Sequence, residues 1–335
     1  MANQKPLRTR DHSIDNIRLI LITLVVFAHL LEVSAPFGSR IIIYNFIYSF
    51  HMPVFIFLFG YNVRFSLKRI LCRWCIPYII FQCVYLLFVK YVLKTSVSFQ
   101  FTTPYWLLWY MMTSIYYQLL LPILDRANKI AQVLLLAFAF ALALLIGKVD
   151  SIGYRLSLSR TFVFLPWFVL GYYCKKNDVL QRLSRHSAVR ISISVASVIA
   201  IVALAPYVLT LTYGILYSSC SYAVGGGTMQ MRAIVFAMSA VVILFLFVGI
   251  KPYLNRKIPL LTSIGQNTWP VFLLHGFIVK AIPFYFQGLT SSPERVVLLT
   301  CAILVLLGNK WCNKAVYYAC FSWLEKVLDK INAPK

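Results

Sequence analysis

Residues 14–34 read Ile-Asp-Asn-Ile-Arg-Leu-Ile-Leu-Ile-Thr-Leu-Val-Val-Phe-Ala-His-Leu-Leu-Glu-Val-Ser. This stretch decides the fold because it combines two properties that conflict. Its apolar run is long enough to cross the roughly 30 Å of bilayer hydrocarbon, which takes about 20 residues of helix. It also keeps ionisable groups that a membrane helix retains only at a free-energy cost. Asp15, Arg18, Ile22, Val25, His29 and Glu32 follow one another at steps of three or four, so a helix presents them as one stripe. Eleven residues separate Arg18 from His29. At about 100° per residue the two face the same way, with an axial rise of about 16 Å between them. Arg18 therefore falls at a membrane boundary and His29 near or past the midplane. Basic residues precede the stretch, as they precede a signal peptide. It continues as a full span without a small-residue cleavage site, so no removable signal is expected.

The rest of the 335 residues extends this pattern. The chain is 61% hydrophobic and 12% charged. A water-soluble domain of this size could not hide so much apolar surface, which excludes a soluble enzyme, a disordered chain and a secreted disulfide scaffold. Apolar stretches of spanning length lie near 17–34, 43–61, 73–93, 104–122, 131–147, 160–174, 190–213, 232–250, 264–282 and 295–317. They predict an all-α integral membrane protein: about ten transmembrane helices over residues 14–320, in a single transmembrane domain spanning 1–335 with short tails. With ten crossings, 23 of the 32 basic residues fall on the side of the termini and nine on the other. The first group includes Lys5, Arg8 and Arg10 at the start and Lys326, Lys330 and Lys335 at the end. This asymmetry predicts that both termini are cytoplasmic and that the protein is a multi-pass resident of the plasma (inner) membrane.

A net charge of +23 would suggest a nucleic-acid partner in a soluble protein. Here cytoplasmic loops account for it, so the partner expected is the lipid bilayer and not nucleic acid. Of the eight cysteines, Cys72 and Cys75 form a C-x-x-C without a second pair or a nearby His. No metal site is expected, and the thiols read as small apolar residues. The loop Ser218–Met231, with Gly225-Gly226-Gly227, is expected to be an outer, flexible segment.

The intramembrane polar residues are where chemistry is expected. His29 is the candidate general base, with Glu32 one turn away to orient the ring and fix its tautomer. His51, just before Pro53, and His275 should reach a similar depth. The ordinary role for either is an interhelical hydrogen bond. No helix carries two histidines, which disfavours haem. Arg64, Lys68, Arg69 and Arg73 follow the second span at spacings that put three or four cations on one helix face, suited to gripping phosphates. Arg160, at the outer mouth of the sixth span, either binds a substrate or anchors the helix at the headgroups. Trp106, Trp109, Tyr110, Trp167 and Trp269 read mostly as interfacial belt residues, one or two of which could stack on a sugar.

These residues resemble the membrane acyltransferase 3 family. Ile14-Asp15-Asn16-Ile17-Arg18, ending at His29, carries its Arg-x10-His pattern, and Ser49-Phe50-His51-Met52-Pro53-Val54-Phe55-Ile56-Phe57 with Gly60-Tyr61 resembles its second-helix signature. Pro104 to Trp109, Arg160 to Pro166 with Gly171-Tyr172, and Gly265-Gln266-Asn267-Thr268 through His275-Gly276 look like the branch named for fucose 4-O-acetylases. The resemblance covers roughly residues 12 to 285. It departs at Leu19, Ala28 and Phe59, where members often have Gly, Gly and Ser.

The resemblance implies a membrane O-acyltransferase that moves an acyl group, usually acetyl, from cytoplasmic acyl-CoA to a hydroxyl of a sugar or of a cell-surface or lipid-linked glycan. Acetyl-CoA would be the co-substrate, with no bound cofactor. His29, Glu32, Arg18 and Asp15 would form the catalytic stripe, and Arg64, Lys68, Arg69 and Arg73 would hold the CoA phosphates. His51, Arg160, His275 and Trp106 would serve the acceptor or the oxyanion. The competing reading is a proton-coupled multi-span transporter or exporter, since carriers also place polar groups at the midplane. The chain shows no internal repeat of the kind such carriers often carry.

Overall fold

The computed structural model describes residues 11–34 and 39–322, so Lys5, Arg8, Arg10, Lys326, Lys330 and Lys335 lie outside the described residues. Among these the elements are helices, with no strand. In chain order they are α1 (Ser13–Glu32), α2 (Arg40–Tyr48), α3 (His51–Asn62), α4 (Leu67–Val92), α5 (Trp106–Arg126) and α6 (Lys129–Lys148). Next come α7 (Leu158–Lys176), α8 (Ser187–Leu209), α9 (Met229–Leu254), α10 (Pro259–Gln266), α11 (Thr268–Tyr285), α12 (Pro293–Leu307) and α13 (Lys310–Ser322).

Among the described residues, eight helices are long and apolar enough to cross a membrane, with α2 and α3 counted together. The pair α12 and α13, bent by 59°, makes a ninth if it is one broken span. The protein is therefore a multi-pass membrane protein. The remaining expected span coincides with α7, which has 19 residues but carries Arg160, Lys175 and Lys176. Most of α7 is buried in the protein, including Arg160, Thr161 and Trp167. A helix shielded from lipid by its neighbours can keep such residues. The opposite case is α8, which buries only Ser197 and Val208 and exposes Ile191, Val195, Ile199 and Val202. In water that apolar surface would be unfavourable; lipid is its natural solvent.

Breaks in the helices are repaired locally, as a membrane requires. Pro53 has no N–H to give to the Ser49 carbonyl, and the Ser239 hydroxyl donates to that carbonyl instead at 3.0 Å. The His51 ring donates to the Ile47 carbonyl at 2.8 Å across the same break. The contact between α3 and α7 is set by two glycines. A methyl group at Gly60 would collide with the Phe168 carbonyl, and one at Gly171 with the Phe57 carbonyl. Close backbone approach through small residues is how membrane helices gain packing energy without a hydrophobic drive.

Candidate active site

A cavity of about 670 Å³ runs beside α1 and is lined by α3, α4, α5, α7, α11 and α13. Cavities of about 300–1,000 Å³ are the usual size for small-molecule and cofactor sites. Each charged side chain on its wall is basic: Arg18, Arg69, Arg73, Arg160, Lys310 and Lys314. Among the described residues no Asp or Glu lines it. Five of these cations gather at one end, the basic end. Arg160 belongs to a different cluster: its guanidinium meets Trp109 and Tyr217, and ring contacts run from Tyr217 through Tyr48 to His51 and His29 and on to Trp106 and His275; this is the aromatic end.

The basic end is built from the start of α1. Asp15 is buried and meets Arg18 at 3.5 Å, while Gln266 donates to its other oxygen at 3.1 Å. Asn16 donates to the carbonyls of Leu254 and Arg256 at 2.7 and 2.9 Å and accepts from Thr262 at 2.9 Å. A side chain at Gly265 would strike the Asp15 carbonyl, so the glycine lets α10 seat directly on α1. These contacts fix Arg18 and Gln266 on the cavity wall. Asp15 acts there as a brace below the surface.

Of the four cations expected to share a face, Arg69 and Arg73 line the cavity, whereas Arg64 and Lys68 are exposed outside its wall. The chain is extended around Val63 and at Ser66, so a helical period does not carry over from Arg64. A π-helical turn at Leu71–Cys75 follows directly and places Trp74 on the wall. Lys310 and Lys314 join them from α13. Neither stands out in the sequence, although their spacing of four is a signal that they share a face.

The aromatic end is organised by hydrogen bonds that fix tautomers. His275 Nδ1 lies 2.7 Å from the Val271 carbonyl and 3.1 Å from that of Phe272. A carbonyl only accepts, so Nδ1 carries the proton and Nε2 holds a lone pair. His29 Nδ1 lies 2.9 Å from that Nε2, with the rings parallel and their centroids 5.2 Å apart. His29 Nδ1 is therefore the donor, which leaves His29 Nε2 with a free lone pair. The sequence expectation had Glu32 orienting His29; in the structure His275 does so. The Glu32 carboxylate instead accepts from the Tyr48 hydroxyl at 3.4 Å. His51 is also fixed by a carbonyl, that of Ile47, so the neutral ring offers a lone pair at Nε2. In that form it cannot donate to an oxyanion, which leaves the acceptor side of the role expected for it.

Arg160 is positioned by a strained turn. Leu156 and Ser157 both adopt left-handed backbone, with φ of 54° and 55°. Such conformations cost about 1–3 kcal/mol apiece for residues with a Cβ. A buried hydroxyl cluster holds them: Thr113 meets Ser157 at 3.1 Å and Thr161 at 3.0 Å, and Thr161 donates to the Ser157 carbonyl at 2.8 Å. The Ser159 hydroxyl and the Arg160 Nε donate to the carbonyls of Ser218 and Tyr217 at 3.0 and 2.8 Å. The loop expected to be flexible is thus folded in. The short helix Tyr222–Gly225 lies within it, and the helix just before it, Tyr213–Tyr217, supplies Leu216 and Tyr217 to the wall. Burial pushes the Tyr217 hydroxyl up to about 12, so it stays a neutral phenol that accepts from Tyr44 at 2.9 Å.

The aromatic residues expected as an interfacial belt mostly turn inward. Trp106, Trp109, Tyr110 and Trp269 line the cavity, and Trp167 is buried against Phe140 and Phe236. Trp106 packs on His29 at 4.5 Å, with the Lys280 ammonium 4.2 Å from its ring.

The family model described as "Acyltransferase domain" matches residues 11–308, which include the three histidines, Arg18, Arg69, Arg73 and Arg160. No curated protein and no solved structure matches the chain.

Proposed function

The chain belongs to this acyltransferase family, and from that premise we propose that it is a membrane O-acyltransferase with His29 as general base. Acyl-CoA, expected to be acetyl-CoA, enters at the basic end as a co-substrate; no bound cofactor is needed. Arg69, Arg73, Lys310 and Lys314 neutralise its phosphates, and Arg18, braced by Asp15, stands where the pantetheine arm turns along α1. The thioester then lies within reach of His29, about 16 Å further along the helix.

The acceptor is a hydroxyl of a sugar or of a cell-surface or lipid-linked glycan, entering at the aromatic end. His29 Nε2 takes the hydroxyl proton as the oxygen attacks the thioester carbonyl. The tetrahedral intermediate collapses by breaking the C–S bond, and the imidazolium returns the proton to the CoA thiolate. His275 accepts from His29 Nδ1–H throughout and stabilises the imidazolium as it forms. His51, with its free Nε2, accepts from a second acceptor hydroxyl, while Trp106 and Trp109 offer faces for a sugar ring.

The basic end faces the cytoplasm in this reading, with α7 as a tenth crossing and both termini cytoplasmic in a plasma (inner) membrane. The features shared with the fucose 4-O-acetylase branch support acetyl as the group moved. The observation that carries the proposal is the His29–His275 bond, because it leaves one defined lone pair on the cavity wall above a set of cations.

Purified protein given radiolabelled acetyl-CoA and an envelope glycan fraction should move label into the glycan. Label that remains in CoA, with acetyl-CoA bound, would reject the transfer. Cysteine placed at the exposed Val224 should react with an impermeant reagent only from outside the cell; labelling only from inside would reverse the proposed orientation.

A further inference from the structure

Among the described residues Arg160 is the one cation lining the aromatic part of the cavity wall, Lys280 standing off that wall against the Trp106 ring, and Arg160 is 8% exposed. Its guanidinium is walled by three rings, Trp109 at 4.7 Å, Tyr154 at 4.9 Å and Tyr217 at 5.8 Å. Nε is used on the Tyr217 carbonyl at 2.8 Å. The Tyr154 hydroxyl takes a second hydrogen bond from the guanidinium. A guanidinium has five N–H donors, so those beyond these two remain for a ligand. Among the described residues no carboxylate lies within ion-pair distance of Arg160. A buried charge left without a counter-charge is costly unless something else supplies one.

Arg232 shows what a purely structural arginine looks like here. It is 1% exposed, stacks on Tyr222 at 4.4 Å and donates to the Ala143 carbonyl at 3.1 Å. It does not line the cavity. The two share burial, a tyrosine face, a carbonyl partner and, among the described residues, the lack of a carboxylate within ion-pair distance; what sets Arg160 apart is that it meets the cavity. The strained Leu156–Ser157 turn and its hydroxyl cluster serve to hold Arg160 at that place. The donor phosphates do not account for it, since the five cations that suit them are at the opposite end, beyond His29. A neutral sugar would need only ring faces and hydroxyl partners.

We infer that the acceptor carries an oxyanion, a carboxylate or a phosphate, near the hydroxyl that receives the acyl group, and that Arg160 binds it. The inference rests on the acyltransferase reading above and narrows its substrate class to acidic glycans. Planar guanidinium recognition of such a group fixes the acceptor in orientation as well as in place.

The test uses full-length protein in detergent, acetyl-CoA, and an envelope glycan fraction from cells that carry the protein. The fraction is used in three forms: untreated, carboxyl-reduced with carbodiimide and borohydride, and dephosphorylated with hydrofluoric acid. With wild type, one treatment should raise the acceptor KM at least about tenfold with a smaller effect on kcat, as expected when one partner of a buried charged pair is lost. Which treatment does so tells carboxylate from phosphate. Arg160→Gln should show the raised KM on the untreated fraction and no further rise after treatment. Arg160→Lys, which keeps the charge without the fork, should fall between. Arg232→Gln should still discriminate the three forms.

Transfer by wild type that is indifferent to both treatments would overturn this inference alone. Absence of transfer to the untreated fraction would overturn the acyltransferase reading beneath it. A wild-type preference for succinyl-CoA over acetyl-CoA that Arg160→Gln reverses would place the anion on the acyl group and overturn the acceptor assignment.

Discussion

The two ends of the cavity solve different recognition problems. At the basic end five cations come from α1, α4 and α13, and Arg69, Arg73, Lys310 and Lys314 are exposed. At the aromatic end a single arginine and three imidazoles are set among tyrosine and tryptophan rings, and His51 and His275 are 1% and 0% exposed. The first arrangement suits a flexible polyanion, because several point charges tolerate many poses. The second suits chemistry at one atom, because each ring nitrogen has its proton assigned by a carbonyl or by a neighbouring ring. In the proposed reading, affinity and reaction are separated along α1 by about three helical turns.

The sharpest way to break this division is at His29. His29→Ala should lower turnover by about 10²–10⁴-fold, the range of a lost general base, while acyl-CoA still binds. Next is the ring that orients it. His275→Ala should cost roughly tenfold to a hundredfold in kcat through a misplaced or wrongly protonated base. His275→Gln, whose side-chain oxygen can accept from His29 Nδ1–H, should recover part of it. Equal loss in both variants would show that His275 only packs.

At the basic end the effects should be smaller and of another kind. Arg69→Ala and Arg73→Ala should each raise the acyl-CoA Kd about tenfold, a guanidinium–phosphate contact being a charge-assisted and often bidentate one. Lys310→Ala and Lys314→Ala should do the same more weakly. Arg64→Ala and Lys68→Ala, outside the wall, should change Kd less than about twofold. An unchanged Kd in both Arg69→Ala and Arg73→Ala would remove the phosphate clamp. The smallest effect expected is that of salt. Raising ionic strength to about 0.5 M should weaken acyl-CoA binding severalfold and leave kcat nearly constant, since exposed charges are screened and the histidine chain is not.

The same division explains what could be read from the sequence. The stripe from Asp15 to Glu32 was legible because a helix converts spacing into a face, and Arg18 and His29 do share the cavity wall. The partner of His29 was not legible, because His275 is 246 residues away and pairs through tertiary packing. Glu32 looked like the orienting group from spacing alone; the Tyr48 hydroxyl takes it instead. Arg64 was grouped with Arg69 and Arg73 on a helical period that an extended segment interrupts, and Lys68, on the same helix but next to Arg69 in sequence, is turned about 100° away from it. Trp106 and Trp109 resembled belt residues because a tryptophan in a membrane sequence gives no sign of whether it faces lipid or a cavity. α7 posed the reverse problem: burial allowed it charges that lower its hydropathy, though its length and the Gly60–Gly171 contact place it inside the bundle.

The central claim is that His29 works as the base for a donor held at the far end of the same helix. It is tested most directly by measuring acetyl-CoA binding and acetyl transfer to envelope glycan in parallel, for wild type and His29→Ala. The account predicts equal binding by both proteins and transfer by wild type alone. Equal transfer by both would contradict the assignment of the base, and no acetyl-CoA binding by either would contradict the enzyme and favour a carrier.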